Sequence, residues 1–280
     1  MRFLDSCWFK LCRAEEHMNV LEGELQAFLT PDSYRIERAF RRDDKSESGM
    51  ISGSLVRRVF FSELPLPRWG TLVGDILVNL RAALDHAVYA IAYSGNPDSF
   101  INYRRTEFLI CDSERAFRQK KRSALRGLPR AAVAVVQQSQ PYVGTDDVTN
   151  HPLWVLRELS NLDKHRFIPL TTWIAHKLEL EITSVSPGVV IHSKEIMHHI
   201  RSGDEFVRIH LSYPPTETDP FVDMDRSYWF TIALDENIPW GGKQVQSAMY
   251  ELIGSVESTL NLLTPYIHNP PDPSLSASAS

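Results

Sequence analysis

Several things are scarce in this chain of 280 residues, and each scarcity narrows the choices. Cysteine occurs three times, as Cys7, Cys12 and Cys111. An odd count without framework spacing argues against a disulfide scaffold and fits free thiols in a reducing compartment. Cys7 and Cys12 have no matching ligand pair nearby, so a closed four-ligand zinc site is not expected there. Long apolar runs are missing as well: no stretch reaches the roughly 18 residues that read as a membrane span. Asp5 and Lys10 interrupt the N-terminal segment where a signal peptide would need its apolar core. The expectation is a soluble, cytoplasmic protein with no membrane partner. Basic charge is not in excess either, with 30 Lys and Arg against 35 Asp and Glu and a net charge of −5. That excludes a globally basic nucleic-acid binder and leaves room for a local basic patch.

What is present is ordinary globular material, 43% hydrophobic and 23% charged, enough for one large core or two small ones. Residues 8–29 carry Leu11, Met18, Leu21, Leu25 and Phe28 near helical spacing and read as a first helix, with Pro31 as a stop. Residues 33–43 and 54–62 alternate and are rich in aromatic and β-branched side chains. They predict a hairpin whose polar, glycine-containing connection is a mobile loop. The longest helix candidate is 68–94, roughly 40 Å at 1.5 Å per residue. Leu77, Leu80, Leu84, Val88 and Ile91 fall in one narrow arc, the core stripe, with Asp75, Asn79, Ala82 and His86 on the opposite side.

A short strand is expected at 107–110, two short helices within 113–139 separated near Gly127-Leu-Pro129, and a further helix over 152–166 with Pro152 in its first turn. From 168 the texture changes to short strands near 168–173, 178–185, 188–193, 205–213 and 227–234. Val207, Ile209 and Leu211 alternate there with Arg208 and His210. Residues 242–267 return to helix, and the Ser/Ala/Pro tail is expected to be disordered. The fold class is therefore α+β: a bundle of three to four long helices with an antiparallel β-sheet inserted before the C-terminal helix. The domain reading is 1–167 for the bundle with its N-terminal hairpin, 168–236 for the sheet, 237–268 for the last helix and 269–280 for the tail.

Two polar clusters stand out. The helix at 68–94 sets Asn79, Arg81, Asp85 and His86 within about two turns, and Asn161-Leu-Asp-Lys-His-Arg166 ends another helix. Such groups near apolar faces are costly to bury unless paired, so each is a packing network or a site. Histidine titrates most easily near neutrality, and arginine is a permanent forked donor suited to phosphate. Together they suffice for metal-free phosphodiester cleavage, with the imidazole moving the proton and the guanidinium holding the developing charge. A third feature is the run Arg118 to Arg130, which holds six basic residues and no acid. Lys120, Lys121, Arg122 and Arg126 within it are candidates for phosphate contact, against the commoner reading of a solvated helix face. His198 and His199, adjacent on a strand, point to opposite faces, so a shared metal is not expected.

The spacing Arg81-Ala-Ala-Leu-Asp-His86, arginine and histidine separated by four residues on a helix of a mainly helical region, resembles the HEPN superfamily (higher eukaryotes and prokaryotes nucleotide-binding). The resemblance covers the 68–94 helix and the bundle, not the sheet. It implies metal-independent ribonuclease chemistry or RNA binding, in a bacterial stress or defence role, at a cleft between two copies of the chain. Arg81 and His86 would then be catalytic, with Asn79, Asp85, Asp163 and His165 orienting them; the partner would be RNA, and no metal or cofactor is called for. The two residues lie about 140° apart on a helix, which also points to a homodimer if one substrate is to meet both. The chain is similar, too, to a group of uncharacterised bacterial proteins carrying a Leu-Arg-x-x-Leu-Asp-His segment, here Leu80 to His86, and a later Asp-Lys-His-Arg segment, here Asp163 to Arg166. The competing reading is a non-catalytic interaction module. In it Arg81 and Asp85 form a surface helix pair, the 163–166 cluster complements a helix C-terminus, and the sheet offers a surface to a protein partner.

Overall fold

The computed structural model describes residues 3–47, 49–95, 105–145, 147–174, 182–224 and 230–267. The expected tail therefore lies outside the described residues, as do the first residues of the strands expected at 178–185 and 227–234. The architecture is α+β, as the sequence predicts, with antiparallel strands followed by a C-terminal helix. Contacts divide the chain into two compact units, one made of Met1–Glu22, Pro67–Pro169 and Glu236–Ser280, the other of Gly23–Leu66 and Leu170–Asp235. No helix among the described residues is long and apolar enough to cross a membrane.

The first unit is helical. Its elements are most of α1 (Phe3–Phe28), then α2 (Leu66–Gly95), α3 (Glu114–Ala124), α4 (Arg130–Gln138), α5 (Pro152–Asp163) and α6 (Val245–Leu263). Local chemistry sets several ends. The Ser113 hydroxyl accepts the Ala116 amide at the start of α3, and Pro152 occupies the first turn of α5, where the His151 ring accepts the Leu153 amide. The chain turns into α6 at Trp240, the only non-glycine residue with positive φ among those described, at 57°.

The central helix α2 is buried well beyond the predicted stripe. Trp69, Val73, Ile76, Leu77, Leu80, Ala83, Leu84, Ala87, Val88 and Ile91 are all fully buried. The face expected to be polar and outward is covered in part: Asn79 is only 8% exposed and Ala82 and His86 are half-buried, while Asp75 is exposed. This face packs toward α1, where Lys10 Nζ donates to Asn79 Oδ1 at 3.2 Å and Ser6 Oγ meets His86 Nδ1 at 2.5 Å. A 30-residue helix of this kind is the axle of the unit and not an amphipathic surface helix. Two glycines allow its close approach to the end of α5. A Cβ at Gly70 would lie 2.3 Å from the Ile168 carbonyl oxygen, and one at Gly74 would lie 2.1 Å from Asp163 Oδ1.

The expected strand at 107–110 is not part of a sheet. It is an extended, buried segment (Phe108, Leu109, Ile110, Cys111) whose backbone is hydrogen-bonded by side chains from two helices, α2 and α5, and from the turn after α4. Its apolar content suggested a strand, but no strand among the described residues takes up its ladder.

The second unit is built on sheet. β1 (Tyr34–Glu47) and β2 (Met50–Phe61) form the predicted hairpin, its strands running through most of the stretch expected as a loop, with Gly49 at φ +76° before β2. The hairpin does not belong with the helices. β2 pairs along its length with β7 (Glu205–Tyr213), which pairs in turn with β5 (Val190–Ile196), giving an antiparallel sheet in the order β1-β2-β7-β5. Strand pairing across distant sequence, invisible to local patterning, moves the boundary. β3 (Leu170–Ile174), β6 (His199–Ile200) and β9 (Phe230–Leu234) form a second sheet, and β4 (Ile182–Val185) pairs with β8 (Val222–Met224). Leu55, Val59, Phe206, Val207, Ile209 and Leu211 form the core of this unit, as the alternation of β7 predicts.

Candidate functional site

The first polar cluster divides between two sides of α2. His86 and Asn79 face α1, through the Ser6 and Lys10 contacts, and the Asn79 amide also donates to the Asp75 carbonyl at 2.8 Å. Arg81 and Asp85 face the 107–111 segment. Asp85 Oδ1 accepts the Phe108 amide at 2.8 Å, Arg81 Nη2 donates to the Phe108 carbonyl at 2.7 Å, and the two side chains are 3.3 Å apart. Arg81 and His86, the pair expected to act on one substrate, thus have their polar ends engaged with different neighbours.

The rest of the segment is held in the same way. Gln140, completely buried just beyond α4, accepts the Cys111 amide at 2.8 Å and donates to the Leu109 carbonyl at 2.6 Å. Arg157 Nη1 on α5 donates to the Ile110 carbonyl at 3.1 Å. Buried backbone groups are rarely left unpaired, and these side chains supply what a missing strand would have supplied. Burial pushes the Asp85 carboxyl above its usual range, against the pull of Arg81 and of the Phe108 amide.

Around this clamp lies a groove of about 470 Å³. It is lined by Arg81 and Asp85 of α2, Glu107 to Ile110, Lys120 of α3, and Arg157, Ser160, Asn161 and Lys164 of α5 and its cap. Four cations face two carboxylates there. Arg157 is further tied to Asp112 at 2.6 Å and to Glu158 at 2.8 Å, and Lys164 donates to Asn161 Oδ1 at 3.1 Å. Two buried donors, Arg81 Nη1 and Ser160 Oγ, have no hydrogen-bond partner among the described residues, although Ser160 is only 5% exposed. Such groups carry the cost of an unmade bond. No histidine is among the residues lining the groove. Its cations and its hydroxyl and amide donors are those of an anion holder.

The second cluster is only partly in the groove. Asn161 and Lys164 line it, whereas Asp163 turns to the backbone of α2 at Gly74. Burial, and the Asp75 carboxylate after it, raise the Asp163 pKa. His165 and Arg166 are exposed just beyond the helix, their amides donating to the Leu162 carbonyl at 3.0 and 3.2 Å. In the basic run, Lys120 reaches the groove, Lys121 lies over the Phe117 ring with Nζ 6.0 Å from its centroid, and Arg122 and Arg126 are exposed. Sequence reading passed over Arg157 and Ser160. Their signal was present: Arg157, Ser160, Asn161 and Lys164 stand at i, i+3, i+4 and i+7, a polar stripe on one helix face. Among the described residues, no group of three or more His, Cys, Asp or Glu could hold a metal ion.

No family model matches this chain, and no curated protein or solved structure does so.

Proposed function

We propose that the helical unit is an HEPN-like RNA-binding bundle that holds a single strand by its phosphates in the α2–α3–α5 groove and does not cleave it. The observation that carries the reading is the gathering of Arg81, Lys120, Arg157 and Lys164 along one groove of an otherwise acidic protein. Such a local concentration of cations binds a polyanion when the net charge of the chain does not favour it. The groove lining includes no histidine, its two carboxylates Asp85 and Glu107 lie beside Arg81, and His86 is engaged with Ser6 on another side of the helix. Arg81 and Asp85 serve in this reading as the clamp that shapes the groove floor, while the exposed Lys120 and Lys164 make the phosphate contacts. As in the family it resembles, the unit is expected to pair with a second copy of itself.

The test is fluorescence anisotropy with a labelled single-stranded RNA in the presence of EDTA, with the RNA then run on a denaturing gel. The wild type binds with a log–log salt slope of about −1.4, from about −0.7 per phosphate over the two lysine contacts. The double variant K120E/K164E loses at least about tenfold in affinity, H86A retains it, and the RNA stays intact. Binding that charge reversal leaves unchanged overturns the reading. RNA cleaved by the wild type and not by H86A restores the nuclease. An acidic peptide bound in preference to RNA identifies a protein partner instead.

A further inference from the structure

We propose that the helical unit carries a second, independent site: a groove between α1 and α6 that binds a linear aliphatic polyamine of about spermidine length. The groove has a volume of about 430 Å³, which suits a small ligand. Its walls are Glu15, Met18 and Asn19 of α1 and Tyr250, Ile253, Gly254 and Glu257 of α6, with no Lys, Arg or His among them. Nearby acids on the same two helices are answered by cations, Glu16 by Arg13 at 2.6 Å and Glu251 by Lys243. Glu15 and Glu257 are not: neither makes an ion pair or hydrogen bond among the described residues. Two carboxylates on opposite walls of one groove repel each other, and a cation held between them turns that repulsion into attraction.

The floor of the groove is apolar. Met18 and Ile253 are buried beneath it, and a Cβ at Gly254 would meet nothing within 4 Å, so this glycine leaves the middle open. Glu22 lies two turns along α1 from Glu15, and Tyr250 lies two turns back along α6 from Glu257. The Tyr250 hydroxyl donates to Glu22, which ties the two helices together antiparallel and places the ring at that end. Tyr250 is 49% exposed, so a ligand has access to it. The groove therefore carries negative charge at both ends: Glu15 with Glu257 at one, and Glu22 beside an aromatic ring at the other. From Glu15 to Glu22 the helix rises about 10 Å, at 1.5 Å per residue.

That spacing and the floor between select the ligand. A staggered chain of about eight single bonds, each near 1.5 Å, covers the distance. Its methylene groups lie on the apolar floor while the ammonium heads stay with the carboxylates, as the stems and heads of lysine side chains do on protein surfaces. One terminal ammonium sits between Glu15 and Glu257. The other lies over the Tyr250 ring, a cation–π position, next to Glu22. The inner ammonium of spermidine donates to the side-chain oxygen of Asn19, midway along the α1 wall. A short diamine reaches one end only, and a compact cation of the same charge has no chain to lay on the floor. This chemistry is opposite in sign to that of the α2–α3–α5 groove.

The full-length protein is titrated calorimetrically, at fixed ionic strength, with spermidine, putrescine and hexamminecobalt(III), the last a compact ion of the same charge as spermidine. Spermidine binds with a stoichiometry of one. Putrescine and hexamminecobalt(III) bind about tenfold more weakly, since each forfeits an ion pair and a cation–π contact. The double variant E15Q/E257Q loses about tenfold in spermidine affinity. G254L loses at least about tenfold by filling the floor with every carboxylate in place, and its Tm is equal to or above that of the wild type because leucine is the better helix former. K120E/K164E binds spermidine at least as tightly as the wild type. No spermidine binding at millimolar concentration, equal binding of spermidine and either control cation, or G254L binding that matches the wild type overturns the site. A lysine-rich peptide that displaces spermidine at lower concentration assigns the groove to a protein and overturns it as well. None of these results bears on RNA held in the α2–α3–α5 groove.

Discussion

The Asp85 carboxylate accepts the backbone amide of Phe108 at 2.8 Å, and through this bond α2 sets the position of a buried chain segment that belongs to no sheet. Arg81, one turn earlier, takes the carbonyl of the same residue. Helix α2 thus reads Phe108 as a neighbouring strand would, through one acceptor and one donor spaced to fit a peptide unit. The i, i+4 spacing of Arg81 and Asp85 along the helix fits this backbone recognition, whatever ligand the groove holds.

Removing the acceptor leaves a buried amide without a partner. Asp85→Ala is expected to destabilise the helical unit by about 1–3 kcal/mol, the usual cost of an orphaned buried donor. Arg81→Met acts on the same residue, so the double variant costs less than the sum of the two singles. The urea midpoints of the four proteins in this cycle measure the coupling.

Gln140 carries more of the segment than either. Its oxygen accepts the Cys111 amide and its nitrogen donates to the carbonyls of Leu109 and Val136. Gln140→Leu keeps the volume and strips all of these bonds, for an expected loss of about 2 kcal/mol or more. A thermal melt of the variant that overlays the wild type would remove the segment's dependence on side-chain partners.

A side chain at Gly74 requires the Asp163 carboxylate to swing aside, since a Cβ there would meet it. Gly74→Ala should cost about 1–3 kcal/mol through overpacking. Adding Asp163→Ala should return most of that loss, an outcome that a helix-propensity effect alone would not produce, because alanine is the better helix former.

The pH dependence of stability should carry two opposite signs. The Asp163 carboxyl is raised above its ordinary value of 3.8 by burial and by Asp75. The folded state therefore holds that proton more tightly. Its contribution is complete below 3.8 and is lost as pH rises through the raised value, so Asp163→Asn should be at least as stable as the wild type at neutral pH. Glu205 is lowered from 4.5 by hydrogen bonds from Arg208 and Arg58, with Arg41 also beside it. Its contribution is present above 4.5 and is lost as pH falls through the lowered value. Chemical denaturation of wild type and Glu205→Gln at neutral and acid pH should show a gap that closes on the acid side.

Much of the fold was legible along the chain because helices and alternating strands leave periodic patterns. The core stripe of α2, the two short helices about Gly127, proline at the head of α5 and the inward set of β7 all follow from local spacing. The polar clusters were legible as costly residues near apolar faces, but their partners were not. Helical angle separates Arg81 from His86, yet no spacing rule says that α1 covers one and residues 107–111 the other. The stripe Arg157, Ser160, Asn161, Lys164 was available at helical period and was obscured by the more conspicuous string at 161–166.

Periodicity in the chain settled which segments are helix or strand and which face of each seeks the core, because those preferences arise from backbone geometry within a few residues. Folding settled the remainder: that the hairpin joins β7 and that Phe108 is gripped from α2. Each of these depends on a contact between residues far apart in sequence, and its energy comes from desolvation and hydrogen-bond pairing that exist only once the two segments are brought together.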